Sequence, residues 1–234
     1  TVGPLPGSGW ALVHWRSSSL TVDYVSSAML FCSACDTNVP SWPNDPMLMK
    51  YCSVCGTPNP VFEIPEGDTR PRYVCKNCHT IHYTNPNIVA GCLPLWEGQV
   101  LLCRRAIPPR VGYWNVPSGY LENGETVEEG AIREVWEEAE AKVKIIGAHS
   151  IYSLPQINQI YIHFLAELID GKFGIGPEST ECKLFREEDI PWDEMAFTSS
   201  TFSLQKFFAD RKNDGLHKTH LGAYIHPHKK EPLK

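Results

Sequence analysis

Three glutamates, Glu134, Glu137 and Glu138, stand at positions i, i+3 and i+4 of a stretch whose residues favour a helix. One face of that helix would carry three carboxylates, whose like charges repel one another and weaken the helix. A hard divalent cation such as Mg²⁺ (or Mn²⁺) removes this repulsion, because such ions prefer carboxylate oxygens as ligands. The spacing therefore predicts a metal-binding helix face, and the alternative reading of the same residues is a solvated acidic surface.

A loop rich in turn-forming residues precedes this helix. Gly119, Asn123 and Gly124 favour turns, and Asn123 can cap the helix that follows. From about Thr126 onward the residues are good helix formers, and apolar side chains recur at helical spacing. These apolar positions are Val127, Ala131, Ile132, Val135, Trp136 and Ala139. We therefore predict a loop–helix unit that presents the glutamates.

The complete spacing of this unit resembles the Nudix box. Seven positions match the pattern at fixed offsets: Gly119, Glu125, Arg133, Glu134, Val135, Glu137 and Glu138. The one departure is Glu140, where the family usually has glycine. Glycine there would end the helix with a positive φ angle, so glutamate either adopts that conformation at a cost of about 1 kcal/mol or lets the helix continue. No metal ligand is lost by this change.

The resemblance implies a role for each residue of the box. Glu134, Glu137 and Glu138 would hold Mg²⁺, and a backbone carbonyl of the turn at Ser118 and Gly119 would complete the ligand shell. Arg133 and Glu125 are expected to pair with each other and to fix the loop against the helix. A general base would come from a loop after the box; Glu181 is the preferred candidate and Glu178 the less favoured one. The alternative for Glu181 is an ordinary surface residue.

Cysteines form a second pattern, upstream of the box. Cys52 and Cys55 form one Cys-x-x-Cys pair, and Cys75 and Cys78 form another after an interval of 19 residues. Two such pairs are typical of a closed structural Zn²⁺ site, which contributes stability rather than catalysis, and they indicate a reducing compartment. A rival pair, Cys32 and Cys35, lies upstream; we prefer the later pair because Tyr51 and Tyr73 precede its two knuckles and suggest a hairpin ribbon.

The chain as a whole limits the remaining functions. Its 234 residues suffice for one domain and a small module, and its net charge of −6 argues against a nucleic-acid-binding surface. It contains no run of 18 apolar residues, so no transmembrane helix is expected. The chain begins at Thr1 with a Ser-rich, acid-poor segment, so we expect a processed or truncated product, with a transit-segment remnant as the alternative.

Segments outside the two motifs are less informative. We divide the chain into an irregular extension (1–48), a zinc ribbon (49–84) and a catalytic domain (85–234). Four histidines near the C-terminus could form a second metal site, but we expect a solvated tail there. They are His217, His220, His226 and His228.

From about Met49 to Tyr224 the sequence resembles Nudix hydrolases that carry a zinc ribbon, and it is most similar to the plant chloroplast FAD diphosphatases and their bacterial relatives. This subgroup resemblance rests on the stretches Tyr51–Gly56, Trp114–Leu121, Gly176–Phe185 and Ile190–Phe197, besides the box. It implies an α/β fold, a Nudix α/β/α sandwich with a mixed sheet, preceded by a small zinc ribbon. It also implies Mg²⁺-dependent hydrolysis of FAD to FMN and AMP, with ADP-ribose as a second substrate.

Two other functions stay open at this level. One is an NADH diphosphatase or RNA de-NADding enzyme, ranked lower because the signature of that subgroup is replaced here by Ser153–Asn158. The other is a non-catalytic zinc-ribbon module that binds a nucleotide or a protein. The expected partner is a small dinucleotide, without nucleic acid or membrane, and the family often forms homodimers. The expected compartment is the cytoplasm, with a plastid or another organelle as the alternative.

Overall fold

A computed structural model describes residues 49–213 and 218–225. The extension 1–48, with Cys32 and Cys35, lies outside the described residues, as do His217, His226 and His228 of the C-terminal histidines. In these described ranges, neither helix has the length and apolar character that a membrane span requires.

The first part of the described chain contains the cysteine pairs and a small antiparallel sheet. Its three strands, in spatial order, are β1 (Val61–Glu63), β2 (Arg72–Val74) and β3 (Ile81–His82). Short strands and tight loops are what a segment of this size forms when a metal site, rather than an apolar core, supplies most of its stability.

A larger mixed sheet follows. Its strands are β4 (Asn87–Trp96), β5 (Gln99–Arg105), β6 (Trp114–Asn115), β7 (Ser118–Tyr120), β8 (Val143–Leu154), β9 (Gln159–Leu168), β10 (Ser179–Phe185) and β11 (His220–Ala223). The spatial order is β10-β5-β4-β9-β8-β11, with β6 added to β5 and β7 added to β4. The β4–β9 and β8–β11 pairs are parallel, and the other pairs are antiparallel.

Two helices cover opposite faces of this sheet. Strand residues alternate between faces, so Leu101 and Cys103 pack against α1 (Val127–Ala139), whereas Val100 and Leu102 pack against α2 (Thr198–Lys212). The result is an α/β/α sandwich with a mixed sheet, which confirms the predicted fold class.

Helix α1 starts at a capping box. The Thr126 hydroxyl accepts from the Glu129 backbone N–H at 3.2 Å, and the Glu129 carboxylate accepts from the Thr126 N–H at 2.8 Å. The cap is therefore Thr126 and not Asn123, because Asn123 lies in the preceding turn, three residues too early for this box. The helix ends at Ala139, and Glu140 adopts the left-handed conformation, with φ 48° and ψ 31°. The glutamate thus keeps the backbone geometry that glycine would have given.

Candidate active site

The loop and helix predicted to carry the chemistry lie against the end of β7. Glu134 and Glu138 point inward and are only 8% and 5% exposed, whereas Glu137 is about half exposed. The Ser118 backbone N–H lies 3.4 Å from the Glu138 carboxylate. A Cβ atom on Gly119 would overlap the Glu134 carboxylate, so a larger residue at this position would displace that side chain.

Arg133 connects the loop to the carboxylates. Its Nε and Nη2 atoms donate to the two Glu125 oxygens at 3.0 and 2.8 Å, a bidentate pair, and Nη2 also donates to the Tyr120 carbonyl. Its Nη1 atom donates to Glu134 at 2.6 Å and to Glu137 at 3.1 Å. These hydrogen bonds from Arg133 lower the pKa of Glu125 to about 2, so Glu125 is a charged partner of the arginine. The structure thus contains the pair that fixes the loop against the helix.

Burial disfavours the charged forms of Glu134 and Glu138, and the protein compensates for this only in part. Burial raises the pKa of Glu134, although Arg133 opposes this shift, and burial raises the pKa of Glu138 to about 8. A buried carboxylate is stable as a charge only when it is paired or coordinates a metal. The donor set therefore fits a hard divalent cation held by Glu134, Glu137 and Glu138.

The three carboxylates do not converge in this arrangement. Within the described ranges, two sets of metal-ligating side chains have donor atoms within 4.8 Å of one another, the four ribbon cysteines and a histidine–aspartate set, and the box glutamates are not among them. The Nη1 atom of Arg133 binds both Glu134 and Glu137, so the arginine occupies carboxylate oxygens that a metal ion would use.

Glu181 lies on the wrong face of β10 for a general base. It pairs with Arg104 of β5 and its carboxylate lies 3.7 Å from that guanidinium. The next residue, Cys182, points the other way and its sulfur contacts the Glu138 carbonyl at 3.4 Å. Because neighbouring strand residues point to opposite faces, Glu181 faces away from the box glutamates.

Glu178, the less favoured candidate for the general base, lies exposed just before β10. Burial is the main cause that raises the pKa of Glu134 and of Glu138, and the negative charge of Glu178 adds a smaller contribution in the same direction. The sequence analysis did not single out Arg105. Its positive charge lowers the pKa of Glu138, against the larger effect of burial, and its guanidinium stacks 5.0 Å from the Phe197 ring. The only sequence signal for Arg105 was the pair of adjacent arginines, Arg104 and Arg105, before the box.

The aromatic residues of the subgroup stretches divide between the core and the surface beside this site. Trp114 and Phe185 are buried and pack edge to face at 4.8 Å, so they belong to the core. Tyr120 is instead 53% exposed next to the box, and its hydroxyl accepts from the Gln159 amide at 2.8 Å. Tyr161 lies 6.4 Å from Phe197, ring to ring. We call Tyr120, Tyr161 and Phe197 the aromatic wall.

The four ribbon cysteines have the geometry of a tetrahedral metal site. The sulfur atoms of Cys52 and Cys78 lie 3.7 Å apart, and those of Cys55 and Cys75 lie 3.5 Å apart. Four thiolates around one Zn²⁺, with Zn–S bonds of about 2.3 Å, place their sulfurs roughly 3.7 Å from one another. The donor set therefore fits one structural zinc ion.

The ribbon also has two matching knuckles. Backbone N–H groups of Gly56 and His79 donate to the carbonyls of Cys52 and Cys75, each at 2.9 Å. Both Gly56 and His79 have left-handed φ angles, 72° and 59°, which reverse the chain after each cysteine pair. The sequence signal for the first reversal was the glycine; nothing marked His79 as its counterpart.

Comparison with known proteins gives two family matches. The family model described as "NUDIX domain" matches residues 85–205, and the one described as "Nudix N-terminal", a zinc ribbon, matches residues 50–84. The chain belongs to the Nudix family. The range matched by the NUDIX domain includes the box, β10 with Glu181, and the whole aromatic wall.

Individual Nudix relatives give the same assignment. A NUDIX hydrolase from Nitrosomonas europaea has a solved structure that is 48% identical, covers 75% of this chain and 99% of its own, and superimposes with a TM-score of 0.72. The "NAD-capped RNA hydrolase NudC" of Salmonella heidelberg (strain SL476) is 30% identical over 146 residues, 61% of this chain and 53% of that protein. The "ADP-ribose pyrophosphatase" of Methanocaldococcus jannaschii is 29% identical over 113 residues, 47% of this chain and 67% of that protein. The chain thus spans about half the length of the NudC relative.

Proposed function

We propose that the protein is a divalent-metal-dependent diphosphatase that cleaves a nucleoside diphosphate linked to a second moiety. The observation that carries this proposal is the pair of buried carboxylates, Glu134 and Glu138, which face the Ser118–Gly119 turn with incomplete charge compensation. Mg²⁺ (or Mn²⁺), held by these residues and Glu137, would neutralise the diphosphate and supply an activated water.

The chain's own residues divide the remaining tasks. Arg133, held by Glu125, fixes the position of Glu134 and restrains Glu137. Glu178 accepts the proton of the attacking water, since a carboxylate beside the box can act as a general base. Arg105 binds a phosphate oxygen, because a guanidinium pairs well with anionic oxygens. Glu181 has no part in this scheme.

We further propose that FAD is the preferred substrate, giving FMN and AMP, and that ADP-ribose is the second substrate. The support is the resemblance to the FAD diphosphatase subgroup through the stretches 176–185 and 190–197, together with the aromatic wall. The isoalloxazine ring is large and planar, and stacking on Tyr120 or Phe197 would add about 1 kcal/mol beyond its burial. Because the adenosine half is common to FAD, NADH and ADP-ribose, selectivity must come from the other half.

A second candidate is hydrolysis of NADH or of NAD-capped RNA. It is favoured by the NudC relative, whose match extends over 146 residues. Against it stands the stretch Ser153–Asn158, which lacks the signature of that subgroup and runs from the end of β8 through a turn that ends at Asn158 with φ 52°. The third candidate, a non-catalytic binding module, gives no functional reason for the buried glutamates.

Matched kinetics with FAD, NADH, ADP-ribose and an NAD-capped RNA at saturating Mg²⁺ test all three candidates. We expect FAD to have the highest kcat/KM and both FMN and AMP to appear. A preference of tenfold to a hundredfold needs only about 1.4 to 2.8 kcal/mol of differential transition-state binding. A tenfold lead for NADH or the capped RNA would overturn the FAD assignment, and no turnover of any substrate would overturn the enzyme assignment.

Three organisational features stay predictions. The division into a ribbon (49–84) and a catalytic domain (85–234) can be tested by limited proteolysis. A homodimer can be tested by analytical ultracentrifugation. The cytoplasmic location, with an organelle as the alternative, can be tested by fractionation.

A further inference from the structure

A buried cluster of metal-ligating side chains lies on the face of the sheet opposite the box. It contains His149 from β8, Asp210 from α2 and His220 from β11, and one donor atom of each lies within 4.8 Å of one donor atom of the other two. These side chains come from three elements that are far apart in sequence. The cluster contains no residue of the ribbon or of the box.

His149 has the hydrogen-bonding pattern of a metal ligand. Its Nε2 atom lies 2.9 Å from the Ser203 carbonyl oxygen, and since a carbonyl can only accept, Nε2 carries the proton. Nδ1 therefore keeps its lone pair, and it is buried without a hydrogen-bond partner. The side chain is 1% exposed. Histidine ligands in metal sites usually donate their second ring N–H to a carbonyl or carboxylate in this way.

A β-bulge puts His149 in this position. The β8–β9 register pairs Ala148 with Phe164 and Ser150 with His163, so His149 is the extra residue between them. Bulges of this type bend a strand and change the direction of a side chain. As a result His149 and Ser150 both contact Ser203 of α2, the latter through hydroxyls 3.0 Å apart. The unpartnered nitrogen is thus held in place by the fold.

The other two side chains close the cluster from the solvent side. His220 Nε2 lies 2.7 Å from Asp210 Oδ2, and these side chains are 17% and 14% exposed. The rings of His149 and His220 have centroids 5.5 Å apart. Two imidazoles bound to one tetrahedral ion place their centroids roughly 5 Å apart, given Zn–N bonds of about 2.0–2.1 Å. Small shifts would therefore bring both rings to one ion.

This position of His220 corrects the expectation of a solvated tail. His220 belongs to β11, which pairs in parallel with β8 and places His220 opposite Ser150. Side chains along a strand alternate between the two faces of the sheet, and this pairing turns the His220 ring toward α2. The tail sequence alone does not show the pairing.

We propose that His149, Asp210 and His220 form a second zinc site, with the fourth position open to water. Two imidazoles and one carboxylate are a ligand set that Zn²⁺ commonly takes. The ion would join β8, α2 and β11, so it would anchor the last described strand to the sheet. It would replace the Asp210–His220 hydrogen bond with two metal–ligand bonds.

The zinc content of the full chain tests this proposal. The protein should carry no affinity tag with histidines, be loaded with Zn²⁺ and be equilibrated in excess Mg²⁺ so that the box glutamates are occupied. We expect one more zinc ion per chain in the wild type than in Asp210→Asn or in His220→Gln. Glu187→Gln is the matched control, because this carboxylate also pairs with α2, through Lys212 at 2.7 Å, but lies outside the cluster. It should keep the wild-type zinc content.

Cobalt substitution separates this site from the ribbon. Co²⁺ bound to nitrogen and oxygen gives d–d absorption without the thiolate charge-transfer bands that a cysteine site adds. The ribbon gives both d–d and thiolate charge-transfer absorption, whereas the proposed site gives d–d absorption alone. We therefore expect both variants to lose d–d absorption while the charge-transfer bands stay unchanged. Equal zinc content in the wild type and both variants, or loss of thiolate bands alone, would overturn the proposal. Both experiments measure bound metal rather than turnover, so their outcome does not depend on FAD hydrolysis.

Discussion

Replacing Glu140 by glycine should stabilise the protein. Glu140 follows the last residue of α1 in the left-handed conformation, with φ 48°. That conformation costs a residue with a Cβ atom about 1–2 kcal/mol, and glycine has no such cost. Glycine in turn loses more backbone entropy on folding, about 0.5–1 kcal/mol. The net expectation is a gain of about 0.5–1 kcal/mol, which for a chain of this size raises Tm by roughly 1–4 °C.

The control for this prediction is Glu140→Ala. Both variants remove a carboxylate from the negative end of the helix dipole, so both gain a few tenths of a kcal/mol from that change. Only the glycine variant also relieves the backbone, so the difference between the two variants isolates the conformational cost. Calorimetry and urea unfolding of the full chain, with zinc present throughout, measure that difference. If the alanine variant were as stable as the glycine variant or more so, the reasoning from the φ angle would be refuted.

Three other predictions concern the site, the ribbon and the core. Glu137→Gln and Glu138→Gln should each lower kcat by on the order of 100-fold or more with the fold intact, whereas the exposed Glu128→Gln on the same helix should not; near-normal Mg²⁺-dependent turnover of either would refute the metal assignment. A zinc chelator should lower Tm, while activity with resupplied Mg²⁺ should persist at first. A finding of no zinc in protein purified without chelators would contradict this prediction. Burial lowers the pKa of His163 to about 3, so between pH 6.5 and pH 3 only the unfolded chain takes up this proton. The free energy of unfolding should therefore fall by about 1.4 kcal/mol for each unit by which the pH is lowered. His163→Leu should show a shallower fall in urea unfolding, and parallel pH curves for the variant and the wild type would show that His163 is not the cause.

The local part of the site could be predicted because its geometry is local. Glu134, Glu137 and Glu138 share a helix face whatever the rest of the chain does, since the i, i+3 and i+4 spacing fixes it. The same holds for the cysteine pairs, whose knuckles need only a few residues each. The capping residue was wrong by three positions because Asn123 and Thr126 both suit a cap, and only Thr126 has Glu129 in place for the reciprocal bond.

The choice between Glu178 and Glu181 depended on long-range pairing. A β-bulge between Ser179 and Glu181, together with the register against β5, turns Glu181 toward Arg104. Both glutamates suit a base by residue type, so the sequence could not decide between them. The aromatic wall failed to appear in the sequence analysis for the same reason, because Tyr120 and Phe197 lie in different elements that only the folded sheet brings together.

The sequence by itself thus determined the family, the box helix and the four ribbon cysteines, because each is encoded in spacing along one short segment. The tertiary structure decided which faces those segments share with the rest of the chain. It turned Glu181 away, brought the positive charge of Arg105 near enough to lower the pKa of Glu138, and brought His149 and His220 together through a bulge and a parallel strand pair. The physical reason is that a strand's side chains change face with a one-residue shift in register, and register is set by partners distant in sequence.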